Sequence, residues 1–358
     1  MRNTGSVSNT LISRAVAVLR ERLPAGWEVK IRLEPRGRAS AVRPDAVLEL
    51  TGPDGRRAAI VVEAKTRVTA AVASAAAPQL ERAVRTLRAA GGLLVTDYLS
   101  PLARQRLADG GASYLDLTGN ARVVVSRPAI VIESRGADRD PTPEGREVRS
   151  LKGGSAARIV RALCDWTPPV GVRALARRAE VNPGYATRVL ALLEKEDVVS
   201  RDPGGAVAAV RWNDLLRRWT QDYAVTTTNR TVSYLEPRSI DALAKRLDRY
   251  KGRWALTGSR AVPPAAAAAP ARTLSCYVES ADAAATALGL RSVDGGANVV
   301  LIEPFDAVVW QRTRTAAGLT CVAISQCAAD LLTGPGREPA EGDALLAWME
   351  RNESAWRA

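Results

Sequence analysis

Val181-Asn182-Pro183-Gly184-Tyr185-Ala186-Thr187-Arg188-Val189-Leu190-Ala191-Leu192-Leu193 is the stretch on which the reading of the whole chain turns. Asn182 is an N-cap residue followed by a proline at the first helical position, where a missing N–H costs nothing, so a helix starts here. Val189, Leu190 and Leu193 recur at helical spacing and predict a buried face, while Tyr185, Thr187 and Arg188 point outward near the start. Working upstream, residues 155–165 form an apolar-periodic helix through Ile159, Val160 and Leu163. A shorter helix, residues 172–179, follows Pro168-Pro169. Downstream, Val198-Val199-Ser200-Arg201 turns through Asp202-Pro203-Gly204-Gly205 and returns over residues 206–212, which predicts a β-hairpin.

This order of helix, helix, turn, helix and hairpin resembles the winged helix-turn-helix of bacterial regulators. The match runs over residues 154–212, through Leu175-Ala176, residues 182–193 and Val198 to Arg201. The resemblance implies that Asn182, Tyr185, Thr187 and Arg188 stand at the start of a recognition helix in the major groove of double-stranded DNA. Arg201 on the wing would touch the backbone or the minor groove. DNA binding of this kind requires no cofactor. The same fold also serves protein contact alone, and charge favours DNA between the two.

The chain has 358 residues, enough for two or three domains that each bury a core. It carries 51 Lys+Arg against 38 Asp+Glu, a net charge of +13, and the excess lies in the first two thirds. A basic surface attracts phosphate and releases its counterions, which makes nucleic acid the leading partner class. There is no histidine. That excludes every mechanism whose base, metal ligand or phosphoacceptor is imidazole, leaving carboxylates, Lys, hydroxyls or a carboxylate-bound metal. Cys164, Cys276, Cys321 and Cys327 show no paired spacing and sit in apolar segments, which reads as core rather than zinc. No apolar run reaches the length of a membrane span, and Met-Arg-Asn-Thr-Gly-Ser lacks a signal-peptide core. The expectation is a cytoplasmic, nucleoid-associated protein with no membrane partner.

In residues 1–140 the periodicity predicts a helix over 8–22 and a strand over 27–33. A hairpin follows, from strands 46–50 and 58–62 around Gly52-Pro53-Asp54-Gly55. Helices over 78–90 and 101–108 and strands over 92–96, 114–117, 121–125 and 129–133 complete an α/β unit. Pro44-Asp45 opens the hairpin and Glu63-Ala64-Lys65 closes it, which resembles the PD-(D/E)xK, restriction-endonuclease-like fold. The resemblance implies that Asp45 and Glu63 hold Mg²⁺ beside a scissile phosphate while Lys65 orients or stabilises the attacking water. It also casts Glu21 as the helical carboxylate and Gln79 as an accessory polar residue. Alternate residues of a strand share a face, which is why the acid and the lysine are two apart. Acids are also common on solvated hairpin ends. The turn Tyr114-Leu115-Asp116-Leu117-Thr118-Gly119-Asn120 is similar to one in nuclease-like domains fused to winged helices, although turn chemistry alone accounts for it.

Residues 136–154, rich in Pro and Gly, read as a linker, and a second break falls at 225–232. Beyond it, over residues 232–358, Trp254-Ala255-Leu256-Thr257-Gly258-Ser259 resembles the start of a nucleotidyltransferase-like domain of AbiEi-type antitoxins. The later stretches Pro304-Phe305-Asp306 and Gln326 with Asp330-Leu331-Leu332 fit as well. The Asp pair needed for two-metal transfer is missing after Gly258-Ser259. The domain therefore reads as a non-catalytic module for a ligand, a toxin or other protein partner, or a second copy in a homodimer. The sequence thus predicts an α/β multidomain protein: a nuclease-like domain at 1–140, a winged helix at 150–222 and an antitoxin-like domain at 232–358. The function expected is a sequence-specific DNA-binding transcriptional regulator, antitoxin-like, with a Mg²⁺-dependent nuclease of defence or repair as the alternative.

Overall fold

Ala46, Leu48 and Leu50 are buried and their neighbours half-exposed, the period of a strand packed on one side, and this alternation organises the first sheet. In the computed structural model, residues 4–33, 44–141, 150–267, 270–316 and 318–358 are described. The chain is mixed α/β and divides into two units, Met1–Arg146 with Glu194–Asp197, and Glu147–Leu193 with Val198–Ala358. Among the described residues no helix is long and apolar enough to cross a membrane.

The first unit runs α1 (Thr4–Arg22), β1 (Glu28–Leu33), β2 (Ala46–Thr51), β3 (Arg57–Ala64), α2 (Ala70–Leu87), β4 (Gly91–Thr96), α3 (Pro101–Asp109), β5 (Ser113–Asp116), β6 (Ala121–Val125) and β7 (Ile130–Ser134). The strands lie side by side in chain order. The β3–β4 and β4–β5 pairs are parallel and the others antiparallel. Parallel neighbours need a crossover, and α2 and α3 supply the two. Leu11, Ile12, Val16 and Leu19 of α1 share a core with Leu48, Ile60, Val62, Val95 and Leu115. Gly92 belongs to the other face, where a Cβ would stand 3.1 Å from Leu80 and 3.2 Å from Val84 of α2. Only glycine admits the helix so closely.

α2 begins at Ala70, eight residues before the predicted start at Pro78, which lies inside the helix. The Thr69 hydroxyl caps it by accepting the Val72 N–H at 3.2 Å, and the alanine-rich turns that follow have high helix propensity without marked periodicity. The Asp116 turn is a buried knot. Its carboxylate, wholly inaccessible, accepts five hydrogen bonds of 2.8–3.0 Å, from the Leu99, Thr118 and Asn120 N–H groups, the Thr118 hydroxyl and the Asn120 amide.

The second unit starts with α4 (Gly154–Asp165), α5 (Val172–Arg178), α6 (Pro183–Lys195), β8 (Val199–Arg201), β9 (Val207–Val210), α7 (Trp212–Trp219) and α8 (Val225–Thr228). It continues through β10 (Arg230–Leu235), α9 (Ile240–Leu247), β11 (Trp254–Thr257), β12 (Leu274–Val278), α10 (Ala281–Leu288), β13 (Arg291–Ser292), β14 (Val299–Glu303), β15 (Arg314–Ala316) and β16 (Leu319–Cys321), and ends on α11 (Ile324–Leu332), α12 (Glu338–Arg351) and α13 (Glu353–Trp356). Its larger sheet has the order β13-β10-β14-β12-β11-β16-β15. Residues 225–232, read from sequence as a break, carry α8 and the start of β10. Val225 and Asn229 there are buried, as is Tyr223 just before them. The hairpin returns only to Val210, because Trp212 starts α7 and buries its ring against Trp356 at 4.9 Å. Cys164, Cys276, Cys321 and Cys327 are buried free thiols, and burial pushes all four up from the usual thiol range.

α4 is buried nearly all round, since Ala156, Ala157 and every residue from Ile159 to Asp165 lie inside. Two of these are charged. Arg161, with no exposed surface, pairs with Asp165 at 2.8 Å. It also donates to Gln326 Oε1 at 3.0 Å, to the Gln311 carbonyl at 3.0 Å and to the Val308 carbonyl at 3.4 Å. Asp165 also accepts the Ser325 hydroxyl. Removing one partner of such a network strands the other charge. Arg161→Ala is expected to destabilise this unit by roughly 3–5 kcal/mol in urea unfolding. Arg161→Met with Asp165→Leu should recover much of that loss; a cost below about 1 kcal/mol for Arg161→Ala would contradict the account.

Candidate nucleic-acid interface and carboxylate site

The start of α6 is fixed by Asn182. Its Oδ1 accepts the Gly184 N–H at 2.8 Å, and its carbonyl accepts those of Tyr185 at 3.0 Å and Ala186 at 3.1 Å. With the helix so anchored, Ala186, Val189, Leu190 and Leu193 turn inward and are buried. Thr187 and Arg188 are exposed on the opposite side, and Tyr185 is half-buried. The Arg188 guanidinium lies 5.8 Å from the Tyr185 ring centroid, within cation–π range. Partial burial raises the Tyr185 phenol while Arg188 draws it back, so the ring stays a neutral hydrogen-bonding group at pH 7. The Thr187 hydroxyl donates to the Pro183 carbonyl at 3.0 Å, which fixes its rotamer in the free protein.

The hairpin after α6 is the antiparallel pair β8–β9, with an irregular register between Ser200 and Arg201 and a bridge from Val170 to Val207. Its tip closes on Asp202, whose side chain accepts the Ala206 N–H at 2.9 Å. Gly205 takes φ +83°, which suits glycine alone. Arg201 is half-buried at the end of β8, at the base of the tip. The structure thus gathers Asn182, Tyr185, Thr187 and Arg188 at one helix end and puts Arg201 on the hairpin. Two further cations escaped the sequence reading. Arg173 and Arg177 are exposed on α5, four residues apart, and neither has an acidic partner among the described residues. The signal was available: a basic i, i+4 pair around the buried Leu175-Ala176.

In the first unit, the β2–β3 register pairs Ala46 with Val62, so one step further Asp45 faces Glu63. The Asp45 N–H donates to the Val62 carbonyl at 3.1 Å, and Asp45 Oδ2 accepts the Ala64 N–H at 2.8 Å. Glu63 Oε1 meets Lys65 Nζ at 2.7 Å, with the two side chains 24% and 34% exposed. Asp45, Glu63 and Lys65 therefore share a face at the carboxyl end of β3, where ligands of open α/β sheets gather. Glu21 and Gln79 are exposed, and neither has a hydrogen bond or ion pair to the trio. Among the described residues no group of three or more His, Cys, Asp or Glu is arranged to hold a metal. Two carboxylates nonetheless suit a largely hydrated Mg²⁺. With Lys65 on Glu63 and the Ala64 N–H on Asp45, each keeps one oxygen for it.

Compared with protein-family models and with curated proteins, the chain gives no match. Each site therefore stands on its own chemistry. Loss of the α6 cap is the simplest check of the first: Asn182→Ala is expected to cost about 1 kcal/mol, and Asn182→Ser much less, in thermal unfolding. Equal melting of both variants and the parent protein would mean that Asn182 does not hold the helix start.

Proposed function

We propose that this protein binds double-stranded DNA, inserting the start of α6 into the major groove, and acts as a sequence-specific transcriptional regulator. One observation carries the reading: Thr187 and Arg188 project from a helix whose other face is buried, and Arg173 and Arg177 on α5 add unpaired positive charge. A guanidinium such as Arg188 can donate two bonds to guanine, whereas Arg173 and Arg177 suit phosphates. The net charge of +13 supplies the attraction that precedes any sequence reading. In this reading the near-neutral residues 223–358 serve a ligand, a protein partner such as a toxin, or a second copy, in the manner of an antitoxin-like regulator.

A second reading, a Mg²⁺-dependent nuclease, is favoured by the shared face of Asp45, Glu63 and Lys65. A bound Mg²⁺ would neutralise phosphate charge and acidify a water. The chain's own part would be to hold that ion with Asp45 and Glu63 and to orient the water with Lys65, which must first leave Glu63.

The two readings separate in one set of measurements. After genome-wide selection of a bound sequence, Arg188→Ala is expected to weaken binding to that site by about 1–3 kcal/mol and to relax the choice at one base. Arg173→Ala and Arg177→Ala should weaken all duplexes alike and flatten the salt dependence by about one unit each. If Arg188→Ala leaves both affinity and specificity intact, α6 is not the reading helix. Plasmid cleavage with Mg²⁺ that disappears in Asp45→Ala and in Lys65→Ala would establish the nuclease; intact plasmid with the parent protein would remove it.

A further inference from the structure

One face of the C-terminal sheet carries hydroxyls where a buried sheet face carries aliphatics. The registers Thr231↔Ile302, Val300↔Ser275 and Ser275↔Thr257 bring these side chains side by side across β10, β14, β12 and β11. Above them is a cavity of about 100 Å³, roofed by Val225 and Thr226 of α8, Asp330 of α11, Pro335 and Glu338. A ligand here meets apolar walls, hydroxyls and two carboxylates.

The two carboxylates differ. Asp330 is buried and already satisfied: its oxygens accept from Tyr223 at 2.6 Å, Thr257 at 2.6 Å, Gln326 at 2.8 Å and Tyr277 at 3.1 Å. Glu338 is half-buried at the start of α12, and among the described residues its carboxylate has neither a hydrogen bond nor an ion pair, Arg337 acting on it only as a neighbouring charge. The hydroxyls of Thr231 and Ser275 likewise have no protein partner there. An unpaired, partly desolvated carboxylate beside free hydroxyls is costly unless something else completes it.

We propose that this cavity is a binding site for a small organic cation, a short aliphatic amine or amino alcohol, whose ammonium pairs with Glu338 while its stem lies against Val300 and Ile302. Charge sets the sign. The ionisable groups around the cavity are Glu338, Asp330 and the nearby Glu341, and the neighbouring cation, Arg337, is engaged by Glu341 at 2.7 Å. A divalent metal is a poor fit, because Asp330 has no oxygen to spare and one carboxylate remains. Size sets the limit. The volume is below the roughly 150 Å³ that takes up benzene, so the ligand has about four to six non-hydrogen atoms. The site is independent of the DNA reading, since it concerns different residues and a different ligand.

Burial and the charges of Glu341 and Asp330 raise the Glu338 carboxyl to about 7. Folded-state protonation is thus favoured, so the free protein loses stability as pH rises from the ordinary carboxyl range to about 7, and a bound ammonium reverses that loss. An aliphatic amine keeps its charge throughout this window. Its binding should therefore strengthen as Glu338 ionises.

The test is calorimetric titration of the full chain with ethanolamine and n-butylamine, using ethylene glycol and 1-butanol as neutral comparators. Saturable binding of an amine at pH 8, about tenfold weaker at pH 6, and absent for the comparators, is the expected result. Glu338→Gln should lower the amine affinity at least tenfold while melting no lower than the parent protein above pH 7. Ser275→Leu, which fills the cavity and leaves Glu338 in place, should abolish binding. The proposal fails if neither amine saturates at pH 8, if the neutral comparators bind equally, or if affinity is unchanged at pH 6. The pH comparison uses the parent protein and so decides the matter even where a variant does not fold.

Discussion

A guanidinium cannot be taken out of water unless its charge and its donors are all met, and Arg161 in the middle of α4 is held to that rule. Its counter-charge is on its own helix, at Asp165, but its remaining acceptors come from Gln326 of α11 and from the carbonyls of Val308 and Gln311. Those segments lie about 150 residues away in the chain, between β14 and β15 and on α11. α4 opens the run of three helices and a hairpin that sequence alone presents as a separable module, and Arg161 joins that run to the C-terminal segments. Arg158 with Asp306 at 2.8 Å, and Arg312 donating to the Asp165 carbonyl at 2.8 Å, reinforce the join. The guanidinia of Arg178 and Arg312 both lie against the Trp166 ring, at 4.6 and 4.9 Å from its centroid.

In the first unit the governing constraint is the parallel run β3-β4-β5. Parallel strands end together, so whatever chemistry the chain places at their carboxyl ends is brought to one edge. Asp116 spends its carboxylate there on closing the β5–β6 turn, and Asn120 completes the knot by accepting the Gly136 N–H at 2.8 Å. Asp45, Glu63 and Lys65 are at the corresponding edge of β2 and β3 with polar atoms left over. The contrast is chemical: an acid with five donors is structure, and an acid with a spare oxygen is available to a ligand.

Much of this was legible because it is local. The hairpin around Gly52-Pro53-Asp54-Gly55, the cap at Asn182 and the second hairpin around Gly204-Gly205 each depend on residues within a few positions, and the mixed α/β class follows from them. α2 was misplaced because Pro78 is a stronger local sign of a helix start than Thr69, while the alanines between them carry no periodic stripe. The docking of α4 could not be read, since an Arg and an Asp four apart look like an ordinary surface pair. Nothing in the sequence shows that both are inside. Asp45, Glu63 and Lys65 stand out in the sequence through a family resemblance carried by their spacing, whereas the isolation of Glu338 is a property of what surrounds it. Arg173 and Arg177 are written in the sequence at i, i+4 spacing, but a basic pair on a short helix does not by itself distinguish a binding face from any solvated one.

The buried thiols carry a practical corollary. Cys164, Cys276, Cys321 and Cys327 are inaccessible and hold their protons tightly, which removes the thiolate that alkylating probes attack. A single cysteine introduced at an exposed position, such as Ala208 on β9, becomes a clean attachment point for a fluorophore or spin label with every native cysteine left in place. Distance changes on adding duplex or amine can then be followed in the unaltered protein core.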